Sequence, residues 1–113
     1  MTQQKVNDQV QACFRIEESQ DALACLKATV VEAKASDADC KPRLVLMTQA
    51  GCDVCKEEVG HQSQDIQAGT IEVVNVASER GRRIVELNDI EGVPALLILD
   101  CEDRIIEELP APA

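Results

Sequence analysis

Apolar residues recur at helical spacing over the first third of the chain. Val6, Val10 and Cys13 fall at i, i+4 and i+7, and Leu23, Leu26 and Val30 form a second stripe. Residues 2–35 therefore read as helix. The polar run EESQDAL separates the stripes and places Ser19 as an N-cap, with Asp21 in the first turn of a following helix. That interruption predicts a helical hairpin rather than one long helix. The polar segment ASDADCKPR, with Pro42 in it, then reads as a linker.

Beyond the linker the pattern changes. RLVLMT (43–48) is a nearly continuous apolar run rich in branched residues, the signature of a buried strand. Residues 52–67 read as helix, with Lys56, Glu57 and Glu58 on the wet side, and Gly69 ends it. TIEVVNVA (70–77) is a second strand, and SERGRRIVELNDI (78–90) is a helix capped by Ser78 and helical despite Gly81. PALLILD (94–100) and IIEEL (105–109) are two more strands, separated by the turn CEDR; Pro110 and Pro112 close the ordered region. A crossover helix between the first two strands predicts a parallel pair. The short turn between the last two predicts an antiparallel hairpin.

The element order thus predicts an α/β fold with a β-α-β-α-β-β core and a mixed four-stranded sheet, preceded by the helical hairpin. Residues 1–42 form the hairpin and linker, packed on a domain spanning 43–113. At 113 residues, with 45% hydrophobic residues, the chain has the makings of a single core. Phe14 is its one aromatic residue, so that core rests on Val, Ile, Leu and Ala.

The candidate chemistry lies in TQAGCDVCKEE, where Cys52 and Cys55 stand three apart between the first strand and the next helix. Such a pair can be a redox dithiol, half of a metal site or a structural pair. A helix beginning near Cys52 would set that sulfur beside unpaired N–H groups and the positive end of the dipole, favouring the thiolate. Cys55, one turn on and more buried, would then be the resolving thiol. Asp53 opposes the thiolate and Lys56 supports it. A zinc site needs four ligands, and the single histidine, His61, lies nine residues past Cys52 without a second CxxC. No metal is expected.

A strand, a GCxxC opening a helix, and GVP (92–94) opening a later strand together resemble the thioredoxin/glutaredoxin superfamily over residues 43–109. The resemblance implies a thioredoxin-like fold and a thiol–disulfide oxidoreductase. Cys52 and Cys55 would be its catalytic dithiol, acting without a bound cofactor. It also implies a cis peptide before Pro94, with Val93 and Pro94 docking the substrate backbone. Gly51 and Asp53-Val54 stand where thioredoxin-type motifs carry Trp and Gly-Pro, which leaves the direction of electron flow open. The partners it implies are protein disulfides or dithiols, a reductase among them. In the superfamily's sheet the strand opening at Pro94 runs antiparallel beside strand 43–48. Cys40 and Cys101 would then meet at the pole opposite the CxxC, as a disulfide or a thiol pair.

Cys13 and Cys25 lie six residues to either side of Ser19. On one straight helix they would be about 18 Å apart, but in a hairpin they face each other, as a disulfide or as two buried thiols. Two other functions remain open from the sequence: a binding module of the same fold without redox turnover, with 1–42 as its arm, and a cysteine-based metal-binding protein.

The net charge of −10 disfavours nucleic acid and anionic membranes as partners, and a monomer is expected. MTQQKVNDQV has neither the basic nor the apolar region of a signal peptide, which predicts the cytoplasm. If Met1 is an addition to the natural chain, a periplasmic or other extracytoplasmic location is expected, and six cysteines point the same way.

Overall fold

The computed structural model describes residues 2–36, 38–90 and 92–109; the expected end of order at Pro110 and Pro112 lies outside them. Two helices, α1 (Gln3–Phe14) and α2 (Ser19–Lys34), come first. Strand β1 (Arg43–Thr48) follows, then α3 (Asp53–His61), α4 (Ser63–Gln67), β2 (Ile71–Asn75), α5 (Glu79–Asn88), β3 (Ala95–Leu99) and β4 (Ile105–Leu109). The sheet order is β2-β1-β3-β4. β1 pairs parallel with β2 and antiparallel with β3, and β3 pairs antiparallel with β4. The fold is therefore α/β with a mixed four-stranded sheet.

β1 and β3 are central strands, which explains their unbroken apolar runs: both faces of each are covered. Leu44, Leu46, Leu96 and Ile98 point to one face and pack with Val10, Cys13, Leu26 and Val30 of the hairpin, and with Val59 and Ile66 of α3 and α4. Val45, Met47, Leu97 and Leu99 point to the other face, against Ile84 and Val85 of α5. The hairpin is thus part of one core with the sheet. A disulfide between Cys13 and Cys25, with Cα atoms 5.6 Å apart, crosslinks its two helices.

Several boundaries differ from the sequence reading, each for a local reason. Ser19 is the first residue of α2 rather than its cap: the Ala22 N–H already bonds the Glu18 carbonyl at 2.9 Å, which places the cap at Glu18. The helix expected over 52–67 is two helices that break at Gln62, whose ψ of 12° leaves the helical range. The strand expected over 70–77 is paired only over Ile71–Asn75, because the chain turns at Val76 into the cap of α5. There the Ser78 hydroxyl accepts the Gly81 N–H at 3.0 Å. A Cβ at Gly81 would collide with the Asn75 carbonyl, so the glycine that weakens α5 as a helix is what lets it approach β2.

Candidate functional site

β1 ends at Thr48 and the chain reverses in a four-residue turn, closed by the Cys52 N–H on the Gln49 carbonyl at 3.3 Å. Gly51, third in that turn, has φ +78°, the left-handed value that a type II turn requires there. The turn delivers Cys52 to the N-cap of α3, and its sulfur accepts the Cys55 N–H at 3.1 Å. The position usually held by a Ser or Asp oxygen is here held by a sulfur. Cys52 and Cys55 are joined in a disulfide with Cα atoms 5.2 Å apart. Cys52 is half-buried, whereas Cys55 is 3% exposed. One sulfur is therefore open to a partner and the other is sheltered behind it.

The register places the other predicted site residues relative to this pair. Met47 pairs with Ala95, so Pro94, one residue earlier, stands level with Thr48 at the same end of the sheet as Cys52. The Val93–Pro94 peptide is cis, and both residues are half-buried. Asp53 and Lys56 are exposed in the first turn of α3, on the rim of the site. Cys40 and Cys101 are not part of it. They form a disulfide at the other end of β1 and β3, with Cα atoms 5.0 Å apart. Arg43 pairs with Leu99 between them and the rest of the sheet. Cys13 and Cys25 are remote as well, in the seam of the hairpin.

Two residues enter the site that the sequence reading placed otherwise or passed over. Glu58, expected on the wet side of its helix, is 4% exposed. It lies one turn beyond Cys55 on the same inner face, because i and i+3 are neighbours on a helix. The Gln62 side chain donates to its carboxylate at 3.2 Å, and Lys27 of α2 donates to Gln62 at 3.0 Å and to Asp65 at 2.7 Å. This chain of polar groups fastens α3 and α4 to the hairpin and holds Gln62 at the helix break. The second residue is Val54, which is 60% exposed between the two cysteines and presents an apolar surface beside Cys52. The sequence signal for Glu58 was present: if Cys55 faces inward, the residue three further on does too.

The opposite end of the sheet carries its own charged cluster. Asp103, 6% exposed and in the left-handed conformation at φ 63°, accepts Arg43 at 2.7 Å and Arg80 at 3.3 Å. Arg80 also pairs with Glu72. Burial alone would lower the Arg80 guanidinium, but the hydrogen bond and charge of Glu72 and the charge of Asp103 outweigh it and raise its pKa. With Glu72 and Asp103 ionised, the raised value means that this contribution to stability is fully present below the ordinary arginine range and is lost as the pH rises through the raised value.

Among the described residues, no group of three or more His, Cys, Asp or Glu side chains is arranged to hold a metal ion, and no helix is long and apolar enough to cross a membrane. No protein-family model, curated protein or solved structure matches the chain.

Proposed function

We propose that this protein is a thiol–disulfide oxidoreductase of the thioredoxin-like class, working through Cys52 and Cys55. The observation that carries the reading is the asymmetric pair at the start of α3: a half-exposed Cys52 sulfur holding a backbone N–H, backed by a buried Cys55. Once the pair is reduced, that N–H and the helix dipole stabilise the Cys52 thiolate. The thiolate attacks one sulfur of a partner disulfide, and the partner's other sulfur leaves with the electron pair and takes a proton. Cys55 then loses its proton and attacks the Cys52 sulfur. The partner's first sulfur is released, and the disulfide seen here is regenerated. Electrons thus pass from the dithiol to the partner, and the reverse sequence oxidises a partner dithiol.

The level placement of Pro94 with the end of β1 supports Val93 and Pro94 as the docking edge for the partner's backbone, with Val54 as an apolar contact. The redox group is the dithiol itself, so no cofactor is needed. All six cysteines are paired, which supports an oxidising compartment rather than the cytoplasm expected from the N-terminal residues.

Turbidity-monitored reduction of insulin, with dithiothreitol as the electron source, tests the activity. Cys52→Ser is expected to reduce the catalysed rate to the uncatalysed background. A variant that retains the wild-type rate would remove the dithiol from the mechanism.

A further inference from the structure

The Cys40–Cys101 disulfide differs from the Cys13–Cys25 disulfide in ways that bear on its chemistry. Cys13 is fully buried and Cys25 half-buried in the hairpin seam, whereas Cys101 is exposed in the β3–β4 turn and Cys40 is half-buried beneath it. The Cys101 N–H donates to the Cys40 sulfur at 3.2 Å. A hydrogen bond of that kind favours the charged form of its acceptor, which makes Cys40 the better leaving thiolate of the two.

Each sulfur also sits on a backbone anchored independently of the S–S bond. The Gln3 carboxamide grips Cys40 from both sides, accepting its N–H at 2.7 Å and donating to its carbonyl at 2.8 Å. The turn around Cys101 is held by the Asp100 carboxylate, which accepts the Glu102 and Arg104 N–H groups at 2.8 and 3.0 Å. Opening the bond leaves both supports in place, so the two sulfurs stay poised to reclose.

Beside Cys40 lies a cleft of about 380 Å³ lined by Gln3, Asn7, Gln11, Pro42, Asp100 and Ile106. The Gln3 carboxamide is engaged with Cys40 and Asn7, which leaves the Gln11 carboxamide and the Asn7 NH2 group to pair with a peptide backbone. Glu102 is paired with Arg104 at 3.7 Å, and Lys41 follows Cys40. The preference for basic over anionic thiols therefore rests on Asp100 in the cleft, the exposed Asp39 and the chain's net charge of −10.

We propose that Cys40–Cys101 is a second thiol–disulfide exchange site, attacked at Cys101 by the cysteine thiolate of a basic peptide segment seated in this cleft. The incoming thiolate bonds to the Cys101 sulfur, the S–S bond breaks, and Cys40 leaves as the thiolate. A second thiol attacking the mixed disulfide releases Cys101 and carries away the oxidised peptide. The result is a reduced Cys40/Cys101 pair and one new peptide disulfide. The site does not depend on the Cys52–Cys55 reading, because it lies at the other end of the sheet.

The test uses the oxidised wild-type protein and two short synthetic peptides, each with one central cysteine flanked by lysines or by glutamates. Samples are acid-quenched and alkylated, and adducts are mapped by mass spectrometry. The expected adduct is on Cys101 with Cys40 alkylated, at thiol concentrations that leave Cys13–Cys25 closed. At low salt the lysine peptide should react about tenfold faster than the glutamate peptide. Raising the salt to about 0.5 M should shrink that ratio. The same adduct should form in the Cys52→Ser/Cys55→Ser variant, which separates this site from the dithiol. An adduct on Cys40, opening only together with Cys13–Cys25, equal rates for the two peptides, or loss of the adduct in the double variant would each overturn the proposal.

Discussion

The two ends of the β1–β3 pair carry disulfides of opposite design. At one end, Cys52 and Cys55 are separated by three residues in sequence and share one turn of α3. At the other, Cys40 and Cys101 are separated by 61 residues and join the linker to the β3–β4 turn. The short loop restricts the unfolded chain far less than the long one, so the first bond can open and close with a small effect on stability. The second closes a long loop between the linker and the β3–β4 turn. Opening it frees much more chain entropy in the unfolded state, while the local backbone supports stay in place. Turnover suits the first bond and switching suits the second.

This contrast can be broken most severely at the long-range bond. Cys40→Ser/Cys101→Ser is expected to lower the unfolding free energy by about 4 kcal/mol, the loop-closure value for a separation of this size. Cys52→Ser/Cys55→Ser should cost less than about half of that. Urea unfolding of the two variants measures both. A loss at the CxxC as large as at the far end would erase the distinction.

The charged cluster at the far end is expected to have the next largest effect. Asp103→Asn keeps a side chain tolerant of the left-handed backbone but removes the charge that two arginines face. We expect a loss of about 2 kcal/mol, with insulin reduction unchanged. The smallest effect is expected at the near end. Gly51→Ala meets open space but must hold φ +78°, at a cost of about 1 kcal/mol. The strain falls on the turn that presents Cys52, so the rate of insulin reduction should fall more in this variant than in Asp103→Asn, despite the smaller stability loss.

How much of this was legible in the sequence depended on whether the cause was local. RLVLMT announces a strand covered on both faces because its apolar run is unbroken, and β3 does the same. The cap at Ser78 is set by neighbouring residues and can be read from a few letters. Cys13 and Cys25 were legible once the hairpin was, since the reversal between them brings the two positions together. Glu58 could have been read from its i+3 spacing to Cys55, but Gln62 could not, because the Lys27 that bonds it lies on another helix, far away in sequence. Asp103 was hidden for the same reason: CEDR reads as a turn, and nothing in it shows that Arg43 and Arg80 converge on its carboxylate. The end of β2 was missed too, since the turn at Val76 into the cap of α5 overrides the apolar pattern that runs on to Ala77.

The account rests above all on Cys52 being the sulfur that attacks. Cys55→Ser leaves Cys52 as a free thiol and removes the resolving group, so a mixed disulfide with a partner should accumulate instead of turning over. The measurement is to mix this variant with an oxidised peptide disulfide at neutral pH, quench with acid and map the adduct by mass spectrometry. The account predicts a stable adduct on Cys52, absent from Cys52→Ser. No adduct at Cys52 in folded Cys55→Ser protein would contradict it.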